Sequence, residues 1–174
     1  MATTYEAIAT VTVGSGGAAS IEFTSIPATF TDLAIKASLR SDTASYAFEF
    51  IKLTFNNNTS NDYSSRYVRG NGASASSSSV GPGNHIEVEM VNGDTATAST
   101  FGSSDIYIPN YGGSAAKSIS SDSVSENNNT TAYASLLAGI TTATSAITSI
   151  KLTPSLGSNW KQYSTATLYG IKNS

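Results

Sequence analysis

The chain has 174 residues, 39% of them apolar and only 12% charged, with a formal net charge of −3 and no cysteine. That length suits one domain with a self-sufficient core, and the absence of cysteine excludes a disulfide framework, a thiolate metal site and a Cys nucleophile. The nine Lys and Arg are scattered singly, which argues against a phosphate-binding face and so against a nucleic-acid partner.

Ser, Thr and Asn fill the space that charge usually occupies, at about 37% of the residues, while charge sits at about half its usual ~25%. These side chains compete for backbone hydrogen bonds and suit helices poorly, so strands and turns are expected. Nine Tyr, six Phe and regular clusters of Ile, Leu and Val argue against disorder. The first residues lack the basic and apolar regions of a secretory signal. No apolar run approaches the roughly 18 residues of a membrane span, so no membrane partner is expected. Sequons begin at Asn57, Asn58, Asn128 and Asn129, and without a secretory route they read as accidents of composition.

Period-two alternation recurs along the whole chain. Tyr5 to Val13 places Tyr5, Ala7, Ala9, Val11 and Val13 on one face. Gly14-Ser15-Gly16-Gly17 then allows a reversal into Ser20 to Thr24, which predicts a hairpin. After Pro27, Asp32 to Arg40 sets Leu33, Ile35, Ala37 and Leu39 against polar partners. Phe48 to Phe55 is apolar in both phases and predicts a strand covered on both sides. Asn56 to Asp62 reads as a loop, and Tyr63 to Arg69 as a short exposed strand.

Residues 70–84, with the run Ala73-Ser74-Ala75-Ser76-Ser77-Ser78-Ser79, predict a long Ser/Gly-rich surface loop. Strands follow at His85 to Met90, Asp105 to Ile108, Lys117 to Glu126, Ala132 to Ile140, Ser149 to Thr153 and Thr165 to Ile171, with a turn at Asn127-Asn128-Asn129. About ten strands with hardly a helix mean an all-β sandwich or barrel, and no composition break divides residues 1–174.

Candidate chemistry is sparse. His85 is the sole histidine, so any imidazole mechanism passes through it. No Gly-x-Ser-x-Gly elbow accompanies it, and a surface histidine is the simpler reading. Glu87 and Glu89 share a strand face about 7 Å apart, compatible with glycosidase carboxylates but also with a solvated strand face. The loop Asn56 to Asp62 offers oxygens at Asn56, Asn58, Ser60 and Asp62, yet lacks the Gly and Glu of an EF-hand. A turn held by its own side chains is preferred there, and neither a metal nor another cofactor is expected. The glycine pairs Gly14/Gly16, Gly70/Gly72 and Gly81/Gly83 precede no helix and cradle no phosphate. Tyr63, Tyr67, Tyr111, Trp160 and Tyr163 fall in or beside predicted loops. There they either anchor a sugar or protein partner or cover the open ends of the sandwich.

Four stretches carry a family likeness: Ser20 to Leu33 with its Phe23-Thr-Ser-Ile-Pro27 turn, Leu53-Thr-Phe-Asn-Asn-Asn58, Ile106-Tyr-Ile-Pro-Asn-Tyr111, and Ala146 to Leu152 followed by Ser164-Thr-Ala-Thr-Leu-Tyr-Gly-Ile171. In this order they resemble virion structural proteins of tailed bacteriophages, particularly marine ones. The resemblance implies a jelly-roll-like antiparallel β-sandwich without enzymatic activity, assembled in the host cytoplasm and carried on the virion surface. A capsid decoration (cement) protein is the expected role. A tail fibre or appendage, or a receptor-binding carbohydrate-binding module, is the alternative. The expected partners are other capsid or tail proteins, host-surface glycans and further copies in a homotrimer, since exposed strand edges need cover. No catalytic residue is transferred.

Overall fold

A computed structural model describes residues 4–126 and 132–172. Twelve strands occur in it: β1 (Tyr5–Thr12), β2 (Ile21–Phe23), β3 (Asp32–Leu39), β4 (Phe48–Phe55), β5 (Tyr63–Gly70), β6 (Ala75–Gly83), β7 (Ile86–Asn92), β8 (Gly102–Ile108), β9 (Lys117–Glu126), β10 (Ala132–Thr141), β11 (Ile150–Pro154) and β12 (Thr165–Ile171). Among the described residues there is no helix. The strands form two antiparallel sheets, one ordered β1-β12-β3-β8-β9-β10-β5-β6 and the other β2-β11-β4-β7, facing each other as a sandwich.

Eight of these strands, β1-β12-β3-β8 over β2-β11-β4-β7, are compatible with a jelly roll: in chain order they alternate between the two layers except at β4 and β7, which pair within the small sheet, and the first and last lie side by side. The hairpin expected between Tyr5–Val13 and Ser20–Thr24 is therefore not formed. β1 pairs with β12 in one sheet and β2 with β11 in the other. The glycine-rich link carries the chain between layers and is tied to the later chain by the Val13 backbone, bonded to Tyr163 and Ser164, and by an isolated bridge from Ala18 to Trp160.

Alternation decides what is buried. Leu33, Ile35, Ala37 and Leu39 of β3 point inward, against a small sheet that contributes Ile51, Leu53 and Phe55 of β4, Ile86 and Val88 of β7, and Leu152 of β11. At 25 cal/mol per Å2, each such side chain contributes about 2 kcal/mol relative to exposure. Packing is close enough that the entry to β8 must be glycine. A Cβ on Gly102 would sit 2.5 Å from the Val91 Cα and 2.7 Å from the Asn92 nitrogen.

Three elements depart from expectation. Residues 70–84 are not a loop: β6 pairs with β5 from Gly70↔Ala75 to Tyr63↔Gly83, and its nine residues are almost all exposed. Pairing with a neighbour, not apolar periodicity, makes this segment extended. The strand Phe48 to Phe55 is not covered on both sides either. Phe48 and Phe50 are half-buried on the outer face of the small sheet, where their rings pack edge to face at 5.4 Å and Tyr46 stacks on Phe48 at 5.3 Å. β1 carries a bulge between Ala7 and Ala9, so its alternation is broken at Ile8. The expected turn at Asn127 to Asn129, with the sequons at Asn128 and Asn129, lies outside the described residues.

Candidate binding face

The two faces of the eight-stranded sheet differ in kind. Its inward face builds the core. Its outward face presents two cross-strand rows that run through all eight strands. One is Thr10, Thr167, Lys36, Asp105, Asp122, Leu136, Val68, Ser77; the next is Ala7, Tyr169, Ala34, Tyr107, Ser120, Ala138, Arg66, Ser79. Eight strands spaced about 4.8 Å apart would hold β1 and β6 roughly 34 Å apart if the sheet were flat. Yet Tyr5 of β1 and Ser77 to Ser79 of β6 line one groove of about 990 Å3, together with residues of β3, β8, β9, β10 and β5. The sheet therefore curls, and its outward face is concave.

The groove is divided along its length. On the β1 side it is polar and aromatic. Lys36 donates to Asp105, with Asp122 on the adjoining strand, and this hydrogen bond raises the Lys36 pKa against the opposing effect of burial. The Tyr107 hydroxyl donates to Asp32 Oδ2 at 2.6 Å, and the carboxylate, with some burial, pushes the phenol up to about 12. Tyr5 meets Tyr169 edge to face at 6.3 Å. Lys36 and Arg66 balance Asp105 and Asp122, so the lining is formally neutral.

On the β5/β10 side the face carries Arg66 and several large apolar residues. Leu136 is 59% exposed and Val68, directly opposite, 52%. Val124 and Ile140 extend the patch along neighbouring strands. Among the described residues, most exposed large apolar side chains lie on this face; only Tyr46, Leu156 and Tyr163 lie elsewhere. Such concentration on one concave face departs from the single scattered apolar residues usual on a protein surface.

The residues singled out from sequence are placed differently. Trp160 is fully buried, with Nε1 donating to the Leu152 carbonyl at 3.1 Å. Tyr63 and Tyr111 are also sealed, so these three rings are structural. Tyr67 is half-buried with the Arg69 guanidinium 5.0 Å from its ring centre, and Tyr163 is 68% exposed, away from the groove. The loop Asn56 to Asp62 is held by its own side chains. Asn58 Nδ2 donates to Asp62 Oδ2 at 2.9 Å, and Asn56 Oδ1 accepts the Thr148 and Ser149 amides. Those oxygens already have partners, and among the described residues no cluster of three or more His, Asp or Glu could hold a metal ion.

His85 is half-buried beside Asn84, whose Oδ1 lies 2.7 Å from Nδ1. Burial and then the nearby Lys52 charge lower its pKa. No carboxylate lines its shallow depression to orient the ring. Glu87 and Glu89 do not form a solvated pair: the Glu89 side chain is only 1% exposed and lies 3.5 Å from Arg69. Burial raises both, Glu89 to about 7.

Tyr67 was singled out from sequence and Tyr5 was set on the apolar face of its strand, whereas Lys36, Asp105, Asp122 and Leu136 sit in phases expected to be polar and went unnoticed as a group. The available signal was apolar character in both phases: Leu136 beside Leu137, and Val124 in the outward phase of a serine-rich strand. Comparison with protein-family models, curated proteins and solved structures gives no match.

Proposed function

We propose that the chain is a non-enzymatic structural module of a tailed-bacteriophage virion, an outer-surface protein such as a capsid decoration protein, that engages its neighbours through the concave face of the large sheet. The observation that carries this reading is the exposed strip of Leu136, Val68, Val124 and Ile140 on that face. A surface of this kind loses contact with water when a partner covers it, and each fully covered side chain contributes about 2 kcal/mol. Low charge supports the same reading, because few ionic groups need desolvation on close contact. The test is to locate the protein in a reconstruction of intact phage particles and to measure re-attachment of purified protein to particles stripped of it. Attachment abolished by Val68→Asp and Leu136→Asp supports the proposal; absence of the protein from particles overturns it.

A receptor-binding role at the tail is the second reading, favoured by the polar half of the groove. The rings of Tyr5, Tyr107 and Tyr169 sit beside Lys36, Asp105 and Asp122, which is suited to a neutral glycan with apolar faces and hydroxyl edges. Binding to a glycan array that is lost in Tyr107→Ala would select this role over decoration.

A further inference from the structure

The large sheet ends in two unequal edges. β1 is interrupted by its bulge at Ile8 and carries the Glu6–Lys172 ion pair at 3.1 Å. β6 is nine residues long, exposed and without a single charge, Ala75-Ser-Ser-Ser-Ser-Val-Gly-Pro-Gly83. Edge strands are ordinarily protected by charge, by a central proline or by brevity. β6 has none of these from Ala75 to Val80; its register shift and Pro82 fall in its last three residues. By contrast, β2 is protected by its length of three residues, and β7 packs across β9 and β10.

The register shows which backbone groups are free. The Asn71 amide donates to the Ser74 carbonyl at 3.2 Å, closing the hairpin. The ladder then continues through Gly70↔Ala75, Arg69↔Ser76, Val68↔Ser77, Tyr67↔Ser78 and Arg66↔Ser79. Antiparallel pairs alternate between bonded and non-bonded, so Ser76 and Ser78 bond to β5 while Ala75, Ser77 and Ser79 direct their N–H and C=O outward. This outward set is symmetric about Ser77. A two-fold axis through Ser77 sets Ser77 opposite Ser77, Ala75 opposite Ser79 and Ser76 opposite Ser78, all small, uncharged pairs.

We propose that two copies of this chain join by antiparallel pairing of β6 with β6 about Ser77, which makes the two large sheets continuous. The interface is isologous and closes on itself, in place of the homotrimer expected from sequence. Because Ser77 and Ser79 also line the groove, pairing joins the two concave faces across the seam. The inference rests on the strand edge, not on the virion assignment, so a dimer can stand while particle attachment fails, and the reverse.

Light scattering on the intact chain is expected to give twice 17.9 kDa. Ser77→Lys and Ser77→Glu each place like charges face to face at the axis. Each is expected to weaken the dimer at least about tenfold while the circular dichroism spectrum of the folded chain is unchanged, and an equimolar mixture of the two is expected to restore it. In a chain without cysteine, Ser77→Cys gives a unique probe: paired Cα atoms about 5.5 Å apart cross-link through a short bis-maleimide far more efficiently than a Ser15→Cys control in the β1–β2 turn. A monomeric or trimeric wild type, no restoration on mixing, or equal cross-linking at both positions overturns the proposal.

Discussion

The Glu89 carboxylate is buried 3.5 Å from the Arg69 guanidinium, and its second oxygen, Oε1, has no hydrogen-bond partner. Burial outweighs the attraction of Arg69 and, with the nearby Glu87 charge, raises the acid from 4.5 to about 7. A raised carboxyl favours the folded state while protonated in both states. The stabilisation is therefore complete below about pH 4.5 and is lost as pH rises through 7. Glu89→Gln removes this dependence. The difference in unfolding free energy between wild type and Glu89→Gln should fall by up to about 3 kcal/mol between those pH values and be flat above them. Urea titrations at half-unit pH intervals check it; parallel curves for the two proteins refute it.

Arg40 is 6% exposed and donates to four backbone carbonyls, those of Asp94, Ala96, Thr97 and Thr100. One guanidinium thus fixes the whole β7–β8 connection, which Glu126 grips from the other side through the Thr97 amide and hydroxyl. Arg40→Met leaves those carbonyls without their donor and should cost on the order of 3 kcal/mol. Amide exchange of residues 93–100 should accelerate more than that of β3 itself, a difference readable by mass spectrometry.

Trp160 bridges distant parts of the chain. Its backbone exchanges hydrogen bonds with Ala18 at 2.8 and 3.0 Å, and its ring reaches Leu152. Trp160→Ala should remove about 3 to 5 kcal/mol and lower the melting midpoint by roughly 10 °C. Trp160→Phe, which loses only the indole bond and some volume, should cost less. Calorimetry on the two variants separates this structural role from any ligand contact.

Leu136 and Leu137 are sequence neighbours on opposite faces, 59% and 5% exposed. Leu137→Ala should cost 2 to 5 kcal/mol as a core cavity, whereas Leu136→Lys should change stability by no more than about 0.5 kcal/mol. Denaturant midpoints for the pair would show that the apolar groove face is not retained for folding.

Much of the strand map was legible because alternation is a local signal: β3, β9 and β12 follow their expected bounds closely. β6 was not, since Ser76 to Ser79 has no apolar phase and becomes a strand only by pairing with β5. The β1–β2 hairpin was misread because a turn-forming sequence does not reveal that a chain changes layers. Buried charges were equally hidden. Glu49 sits in an inward phase, sealed by the amides of Phe50, Ser155, Leu156 and Gly157. Lys117 is enclosed by the carbonyls of Gly113, Ala115, Thr144 and Ser145. Those partners lie far along the chain or in irregular backbone, where spacing carries no information. The concave face was illegible for the same reason: curvature belongs to the assembled sheet.

The exposed apolar residues Val68, Val124, Leu136 and Ile140 come from β5, β9 and β10, which with β6 are the four strands that the eight-stranded frame does not require. They enter the chain at two separate points, yet lie side by side beyond β8. Frame and attachment are thus separable in the sense that matters for variation. Hairpins of this kind can change length and side chains while β1-β12-β3-β8 and β2-β11-β4-β7 keep their own pairings. Under the proposed attachment role, the outward face can then vary without rebuilding the scaffold that carries it.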